Sequence, residues 1–294
     1  MAQYRAPRGT VDILPREQDC WRYVEQKADS ICRLYGYERI DTPTFEDASL
    51  FLRSIGEQTD IVQKETYSFA DRSGGMLTLR PEGTAPVCRA YVEHGMHAVP
   101  QPVRLYYIAC IFRYERPQAG RYRQHQQFGF ESIGDADPAL DAEVIDLSWQ
   151  FYTSLGLRRL VLKLNSIGCR SCRPTYLAEL KSNLAGRKES LCAECCKRLE
   201  ANPLRILDCK NESCVTVSTH APKSTDHLCA DCAEHFHSLQ IYLQSLNLPY
   251  ELDHRLVRGL DYYTKTVFEV QPQGETTQQT TIGGGGRYDD LIEE

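Results

Sequence analysis

The chain has 294 residues, a length that accommodates about two domains, each large enough to bury its own hydrophobic core. Apolar residues make up 41% and charged residues 25%, as in ordinary globular proteins, and no run of about 18 apolar residues predicts a membrane span. The net charge of −6 excludes a generally basic surface for nucleic acid, although a local basic patch remains compatible with it.

The first half of the chain alternates between helical and extended patterns. Residues 16–35 predict an amphipathic helix, with apolar residues at helical spacing and Gly36 as its C-cap. The sequence LTLR at 77–80 alternates like a strand and stops before a proline. Residues 84–94 predict a helix, and the apolar segment 103–113 predicts a buried strand.

Residues 121–133 carry the most informative pattern. On an extended strand, successive side chains point to opposite faces, so Phe128 and Phe130 are expected to enter the core together. The opposite face would present Arg121, Arg123, His125, Gln127, Gly129 and Glu131. Segment 138–155 predicts a helix with Asp137 as its N-cap.

Long strands separated by helices, without regular alternation, predict an α+β fold with a largely antiparallel sheet flanked by helices. A cysteine-rich part interrupts this pattern and predicts an inserted module at 166–235. The main domain would then consist of two parts, 1–165 and 236–294. The second part contains predicted strands at 250–253 and 266–270.

Nine of the thirteen cysteines lie between residues 169 and 232. Because the N-terminus has no apolar signal segment, we expect a cytoplasmic protein with reduced thiols. Eight of these cysteines form closely spaced pairs, enough for two four-sulfur structural zinc sites. The pairs are Cys169/Cys172, Cys192/Cys195, Cys209/Cys214 and Cys229/Cys232. Unliganded thiols that pack as small apolar groups are the alternative. The sequence leaves open which pairs share a site. Cys196 is either outside the sites or takes the place of Cys195.

The turn LRPEGTAP at 79–86 is the first of three stretches with chemistry-bearing residues. It brings the Glu82 carboxylate, the Thr84 hydroxyl and the first amides of a helix together. These groups could serve a ligand, or they could simply cap the helix.

The other two stretches combine cations with phenols and glycines. In 112–131, Arg113 and Glu115 share a face if they are extended. The polar face of residues 121–131 lies opposite them. It suits a ligand that carries a polyphosphate, and a solvated sheet face is the alternative. In 256–270, Arg258, Gly259 and the pair Tyr262–Tyr263 suggest a small polar pocket, although tyrosines also cover core edges. The glycine run 283–286, before Arg287, either forms a backbone wall that a ligand can approach closely or forms a turn.

Six stretches, in this order, resemble those of histidyl-tRNA synthetases, which are class II aminoacyl-tRNA synthetases. They are RGTVDILP (8–15), TPTFE (42–46), TLRPEGTAP (78–86), FRYERPQAGRYRQHQQFGFE (112–131), LVRGLDYYT (256–264) and GGGRYDDL (284–291). The resemblance implies the class II catalytic fold with a six-stranded antiparallel sheet, in a homodimer with Pro43 of the first class motif at its interface. It implies a ligase that activates L-histidine with ATP and magnesium and transfers it to tRNA(His), with an inserted domain that contacts the tRNA acceptor arm.

The resemblance also assigns roles to residues. It implies Arg113 and Arg258 as catalytic residues on the α-phosphate. It implies an ATP site of Arg113, Glu115 and Arg121. It implies a histidine site of Glu82, Gly83, Thr84, Arg113, Gln127, Glu131, Arg258, Tyr262 and Tyr263, in which Glu131 and the tyrosines bind the imidazole.

The chain ends at Glu294, before the family's third class motif and its anticodon-binding domain. We therefore expect a C-terminally truncated chain with weak or absent aminoacylation on its own. One alternative is the paralogous regulatory subunit of ATP phosphoribosyltransferase, which keeps the fold without being a synthetase. A non-catalytic fragment, or a zinc-organised RNA-binding module, is a further alternative.

Overall fold

The computed structural model of the chain describes residues 4–55, 59, 61–115, 121–274 and 281–292. The described α-helices are α1 (Gln18–Leu34), α2 (Ala48–Ile55), α3 (Thr84–Glu93), α4 (Pro138–Ser154), α5 (Arg173–Ala185), α6 (Ala193–Ala201), α7 (Leu204–Leu207), α8 (Glu212–Thr219) and α9 (Ala230–Ser245). The described strands are β1 (Glu38–Arg39), β2 (Phe45–Asp47), β3 (Tyr67–Ala70), β4 (Met76–Leu79), β5 (Val103–Phe112), β6 (Gln124–Ile133), β7 (Leu160–Ser166), β8 (Tyr250–Leu252), β9 (Thr264–Pro272) and β10 (Gly283–Arg287). Short 3-10 segments lie at Pro15–Glu17, Met96–Ala98, Lys188–Ser190 and Ser224–His227, and a π-helical turn at Ile61–Glu65.

The strands confirm the predicted α+β class. They pair as three sheets with the orders β1-β5-β6, β10-β9-β7-β8 and β2-β4-β3. The pairing is antiparallel except between β1 and β5 and between β7 and β8. Where the resemblance implies one six-stranded sheet, the described strands thus group into three. Of the helices that the structure describes, none is both long and apolar enough to cross a bilayer.

The chain divides into two compact units. The first comprises Met1–Asp135, Leu147–Leu157 and Leu291–Glu294, and the second comprises Ala136–Asp146 and Arg158–Asp290. The second unit therefore contains both the cysteine-rich stretch and the strands that follow it. The domain boundaries expected from the sequence stay predictions.

The first unit is built on a cluster between α1, the β5–β6 hairpin and α4. Cys32, Tyr37, Tyr106 and Leu147 are buried in it, and Phe128 and Phe130 pack against it. The two phenylalanines thus lie on the core face of β6, as their parity predicts. The helix ends also agree with the sequence: Gly36 follows α1 with a φ of 75°, and the Asp137 carboxylate accepts the amide of Ala139 at the start of α4.

The second unit centres on β7 and β9, which have completely buried side chains on both faces of the sheet. Leu162 and Leu164 of β7 and Val267 and Val270 of β9 have no exposed surface. Helix α9 packs against β9. This sheet positions the loop between β8 and β9, which carries Arg258, Tyr262 and Tyr263.

Replacing Leu147 by alanine tests the core of the first unit. Leu147 has no exposed surface, so Leu147→Ala should leave a cavity and lower the free energy of unfolding by about 2–5 kcal/mol. Leu34→Ala is the matched control, because Leu34 is 80% exposed. Urea unfolding followed by circular dichroism measures both; equal midpoints for the two variants would contradict this packing.

Candidate active site

The turn between β4 and α3 holds a buried carboxylate. Glu82 is 2% exposed, and its two oxygens accept the backbone amides of Thr84 (2.8 Å) and Ala85 (2.7 Å). Burial raises the pKa of Glu82, although the two amides and the charge of Arg113 oppose that shift. The predicted capping role is therefore present, and it fixes the orientation of the carboxylate.

The next group of residues surrounds Tyr107. The sequence predicted this residue only as part of a buried strand. The register of β5 and β6 places Tyr107 directly opposite Gly129. A Cβ atom added at Gly129 or at Gly83 would lie 2.3 Å from the Tyr107 ring. Both glycines therefore make room for this ring, and Gly83 has a packing role besides the ligand contact that the resemblance implies.

The Tyr107 hydroxyl joins two of the predicted histidine-binding residues. It lies 3.4 Å from Glu131 Oε1, to which it donates, and 3.4 Å from Gln127 Nε2, from which it accepts. Thr84 donates its hydroxyl to the same Glu131 oxygen at 2.8 Å. Thr84, Gln127 and Glu131, which are far apart in sequence, thus form one polar cluster with Tyr107.

This polar cluster is mostly closed to solvent. Glu131 is 7% exposed and Tyr107 is 3% exposed. Within the described part of the chain, Gln127 Oε1 is buried and has no hydrogen-bond partner. Because a buried acceptor without a donor costs free energy, this oxygen marks a place for a ligand's donor group.

Arg113 lies just past the end of β5. Its Nε donates to the carbonyl oxygen of Pro81 at 2.7 Å, which ties the guanidinium to the turn that carries Glu82. The expectation that Arg113 and Glu115 share an extended face is wrong. The strand ends at Phe112, and the amide of Glu115 donates to the Arg113 carbonyl at 2.7 Å, so the backbone turns there.

Glu115 and Arg121, the other two predicted ATP-binding residues, form an ion pair with 3.2 Å between Nη1 and Oε2. The loop between them, residues 116–120, lies outside the described residues. Strand β6 begins at Gln124, so Arg121 and Arg123 of the predicted polar face precede it.

The second unit carries the remaining predicted site residues. Arg258 Nη1 pairs with Glu269 Oε1 at 2.6 Å, and its guanidinium carbon lies 5.9 Å from the centre of the Tyr263 ring. The rings of Tyr262 and Tyr263 are 4.6 Å apart, and both residues are 7% exposed. In the described residues, Arg258 Nε is buried without a hydrogen-bond partner, which suits an anionic ligand.

The glycine run is a strand rather than a turn. Gly283–Arg287 forms β10, which pairs antiparallel with β9. A Cβ atom at Gly284 would lie 2.8 Å from Arg258 Nη1, and one at Gly286 would lie 2.9 Å from the Tyr263 ring. The turn interpretation is therefore wrong, and the wall for close approach of a ligand stays a prediction.

The eight paired cysteines form two groups. Cys169, Cys172, Cys229 and Cys232 make the outer group, and Cys192, Cys195, Cys209 and Cys214 make the inner group. Within each group all four Sγ atoms lie within 4.8 Å of one another. In the outer group, Cys169 is 3.7 Å from Cys172 and 3.9 Å from Cys229.

These distances fit a metal ion with four sulfur ligands. At a Zn–S bond length of about 2.3 Å, tetrahedral geometry separates neighbouring sulfurs by about 3.8 Å. In the inner group, the backbone amide of Cys195 lowers the pKa of Cys192 to about 7, whereas burial raises the pKa values of Cys195 and Cys214. Cys196 is outside both groups; its Sγ lies 3.7 Å from the carbonyl oxygen of Lys188.

Two groups that the sequence did not single out contribute to these sites. Tyr107 is one, and the signal for it was a tyrosine opposite a glycine in the predicted hairpin. The other is a pair of arginines in the cysteine-rich stretch, Arg173 and Arg205, which contact the backbone beside Arg258. No spacing in the sequence indicates the arginine contacts.

Comparisons with known proteins agree with these features. The family model described as histidyl-tRNA synthetase matches residues 9–294. A histidine--tRNA ligase of Dehalococcoides mccartyi is 60% identical over 99% of this chain, which spans 69% of that protein. An apo histidyl-tRNA synthetase structure from S. aureus has a TM-score of 0.77 and 39% identity, with 99% of this chain and 68% of that chain covered.

A further solved structure shares the fold alone. It is described as an ATP phosphoribosyltransferase regulatory subunit/histidyl-tRNA synthetase from Bacillus halodurans. It is 22% identical, with a TM-score of 0.71, over 99% of this chain and 77% of that chain.

Gly129→Ala tests the seat of Tyr107. The new methyl group would lie 2.3 Å from the ring, so Tyr107 must move, and we expect the free energy of unfolding to fall by about 1–3 kcal/mol. Gly186→Ala is the control, because its nearest contact would be an ordinary 3.6 Å. Urea unfolding of both variants provides the measurement. A Gly129→Ala protein as stable as the control would show that the ring does not occupy this position.

Proposed function

Because this chain belongs to the histidyl-tRNA synthetase family, we propose that it activates L-histidine with ATP and transfers the histidyl group to tRNA(His). The observation that carries the proposal is the buried polar cluster of Thr84, Tyr107, Gln127 and Glu131. A closed cluster with a buried acceptor that lacks a partner among the described residues, Gln127 Oε1, is suited to one small polar ligand.

In the activation step, the histidine carboxylate attacks the α-phosphorus of ATP and pyrophosphate leaves. The carboxylate is already ionised, so the step needs no general base. The protein must bring two anions together and stabilise the charge that develops in the transition state. On the basis of the chain's membership of the family, we assign this task to the guanidinium groups of Arg113 in the first unit and Arg258 in the second. Magnesium, when bound, would supply further positive charge to the phosphates. Tethering of Arg113 to Pro81 and of Arg258 to Glu269 would hold both groups in position beforehand.

Recognition of the histidine side chain is assigned to Glu131. A carboxylate offers about four lone-pair sites, so it can accept an imidazole N–H in addition to the Thr84 and Tyr107 hydroxyls. The second ring nitrogen is an acceptor, and Tyr262 or Tyr263 would donate to it. An amino acid without these nitrogens would leave Glu131 with an unmet buried charge, which favours strong discrimination.

The remaining groups are assigned to the ends of the two substrates. Gln127 Oε1, buried without a partner among the described residues, would accept from the histidine amino group, with Glu82, Gly83 and Thr84 lining the same end. Glu115 would bind the adenine edge, and Arg121 would bind the terminal phosphates. The regulatory-subunit alternative has less support, since nothing in that role calls for Arg121 and Glu115.

We also propose a homodimer that works in the cytoplasm. Its interface would lie on the β2-β4-β3 sheet that follows Pro43, because apolar side chains are exposed there. Phe45 is 50% exposed and Phe69 is 44% exposed. They lie on one face of the sheet, because they pair with Leu79 and Leu77, which share a face of β4. Exposed aromatic side chains on one face are typical of association surfaces.

For the cysteine groups we propose two structural zinc ions. The donor set consists of four thiols in each group, and a closed four-sulfur site leaves no position open for catalysis. The small helices α6, α7 and α8 would gain from metal ligation the stability that a small core cannot supply.

Histidine-dependent exchange between ATP and pyrophosphate, run on the full-length gene product, tests the proposed reaction. In Glu131→Gln the carboxamide keeps the shape but loses the charge, so the KM for histidine should rise about tenfold or more while the KM for ATP stays within twofold. Glu25→Gln on exposed α1 is the matched control and should behave like the parent chain. Exchange that does not depend on histidine would refute the reaction, and co-purification with a phosphoribosyltransferase would favour the regulatory subunit.

Zinc content tests the metal proposal. Freshly purified chain should contain about two zinc ions per chain by atomic emission spectroscopy. Cys195→Ser should lose one zinc ion, whereas Cys196→Ser, the neighbouring thiol outside both groups, should keep both. Zinc-free parent protein, or equal loss in the two variants, would contradict the assignment.

A further inference from the structure

The loop that carries Arg258, Tyr262 and Tyr263 is held from the side by the cysteine-rich stretch. Arg205 Nη1 donates to the Gly259 carbonyl at 3.0 Å. Arg173 Nη2 donates to the Tyr263 carbonyl at 2.5 Å. The two acceptors flank the segment that bears Tyr262, so the two arginines fix the backbone at both of its ends.

Two further hydrogen bonds join the same parts of the second unit. Asn202 Nδ2 donates to Asp261 Oδ1 at 3.1 Å, between the two arginine contacts. Arg255 Nη2 donates in the opposite direction, to the Leu207 carbonyl at 3.3 Å. The cysteine-rich side of these contacts comes from the start of α5 and from the segment between α6 and α8.

Packing alone does not fix this loop. A cavity of about 230 Å³ lies between it and the cysteine-rich stretch, and its lining includes Leu177 and Leu204 on one side and Val257 and Arg258 on the other. Side chains around a cavity lack packing contacts on that side. The hydrogen bonds at the edge of the cavity therefore contribute more to holding the loop in position. Charge-assisted hydrogen bonds from a guanidinium to a carbonyl are well suited to this task.

We propose that Arg205, assisted by Arg173 and Asn202, is a positioning residue for histidine recognition: it holds the loop so that Tyr262, Tyr263 and Arg258 meet the amino acid. This inference rests on the proposed function of the site. It gives the cysteine-rich stretch a role in amino-acid activation that does not require tRNA. The metal groups would act as the rigid frame that carries the arginines, since Arg173 follows Cys172 directly and Arg205 lies between Cys195 and Cys209.

Arg205→Met in the full-length gene product tests the proposal by pyrophosphate exchange without tRNA. Methionine fills much of the space but cannot donate to Gly259. We expect the KM for histidine to rise about tenfold and kcat to fall, because Arg258 is displaced with the loop, while the KM for ATP stays within twofold. Arg205→Lys keeps a donor of similar reach and should restore the KM for histidine to within threefold of the parent. Lys223→Met, at an exposed lysine of the same stretch, is the control.

The outcomes separate the two proposals. A full-length parent protein without histidine-dependent exchange refutes the proposed function, whatever the variants do. An active parent with an unchanged histidine KM in Arg205→Met, or with equal rises for histidine and ATP, overturns the positioning role. Circular dichroism and zinc content verify that the variant is folded. Should it not fold, Asn202→Ala takes its place, with an expected threefold rise in the KM for histidine, and no rise overturns the proposal.

Discussion

The seat of the Tyr107 ring between Gly83 and Gly129 is the constraint on which the candidate site depends. It requires β5 and β6 to pair in one register, because a shift by one residue would turn every side chain of β6 to the opposite face. The same register puts Phe128 and Phe130 into the core and leaves Gln127 and Glu131 on the other face. Core packing and the polar cluster are therefore two consequences of a single strand pairing.

Burial then determines what the polar cluster can do. Glu131 is almost inaccessible to water, so its charge is balanced by hydroxyl donors and by whatever ligand enters. A group in such surroundings discriminates strongly, because each missing donor costs the full desolvation penalty of the carboxylate. In the second unit the charge of Arg258 is likewise balanced, here by the carboxylate of Glu269 on β9.

Local patterns in the sequence predicted much of the fold. The alternation in 121–133 predicted which side chains of β6 face the core, and Asp137 and Gly36 predicted helix ends. Both signals are local, because strand parity and helix capping depend on neighbouring residues. The roles of Tyr107 and Arg205 could not be obtained in this way. Each depends on contacts between segments distant in the chain, and neither residue type is unusual where it stands. The β10 strand was equally hard to predict, since glycine has weak strand propensity. Its use here is explained by the close approach of the β9 backbone, Arg258 and Tyr263 to Gly284 and Gly286.

The nesting of the two cysteine groups has a consequence for the order in which this part of the chain assembles. The inner group joins residues 22 positions apart, whereas the outer group joins residues 60 positions apart and encloses it. Closing the longer loop costs about 0.9 kcal/mol more conformational entropy in a flexible chain. Once the inner group has formed, it shortens the effective distance that the outer group must span. Assembly from the inside outwards therefore costs less conformational entropy than the reverse order.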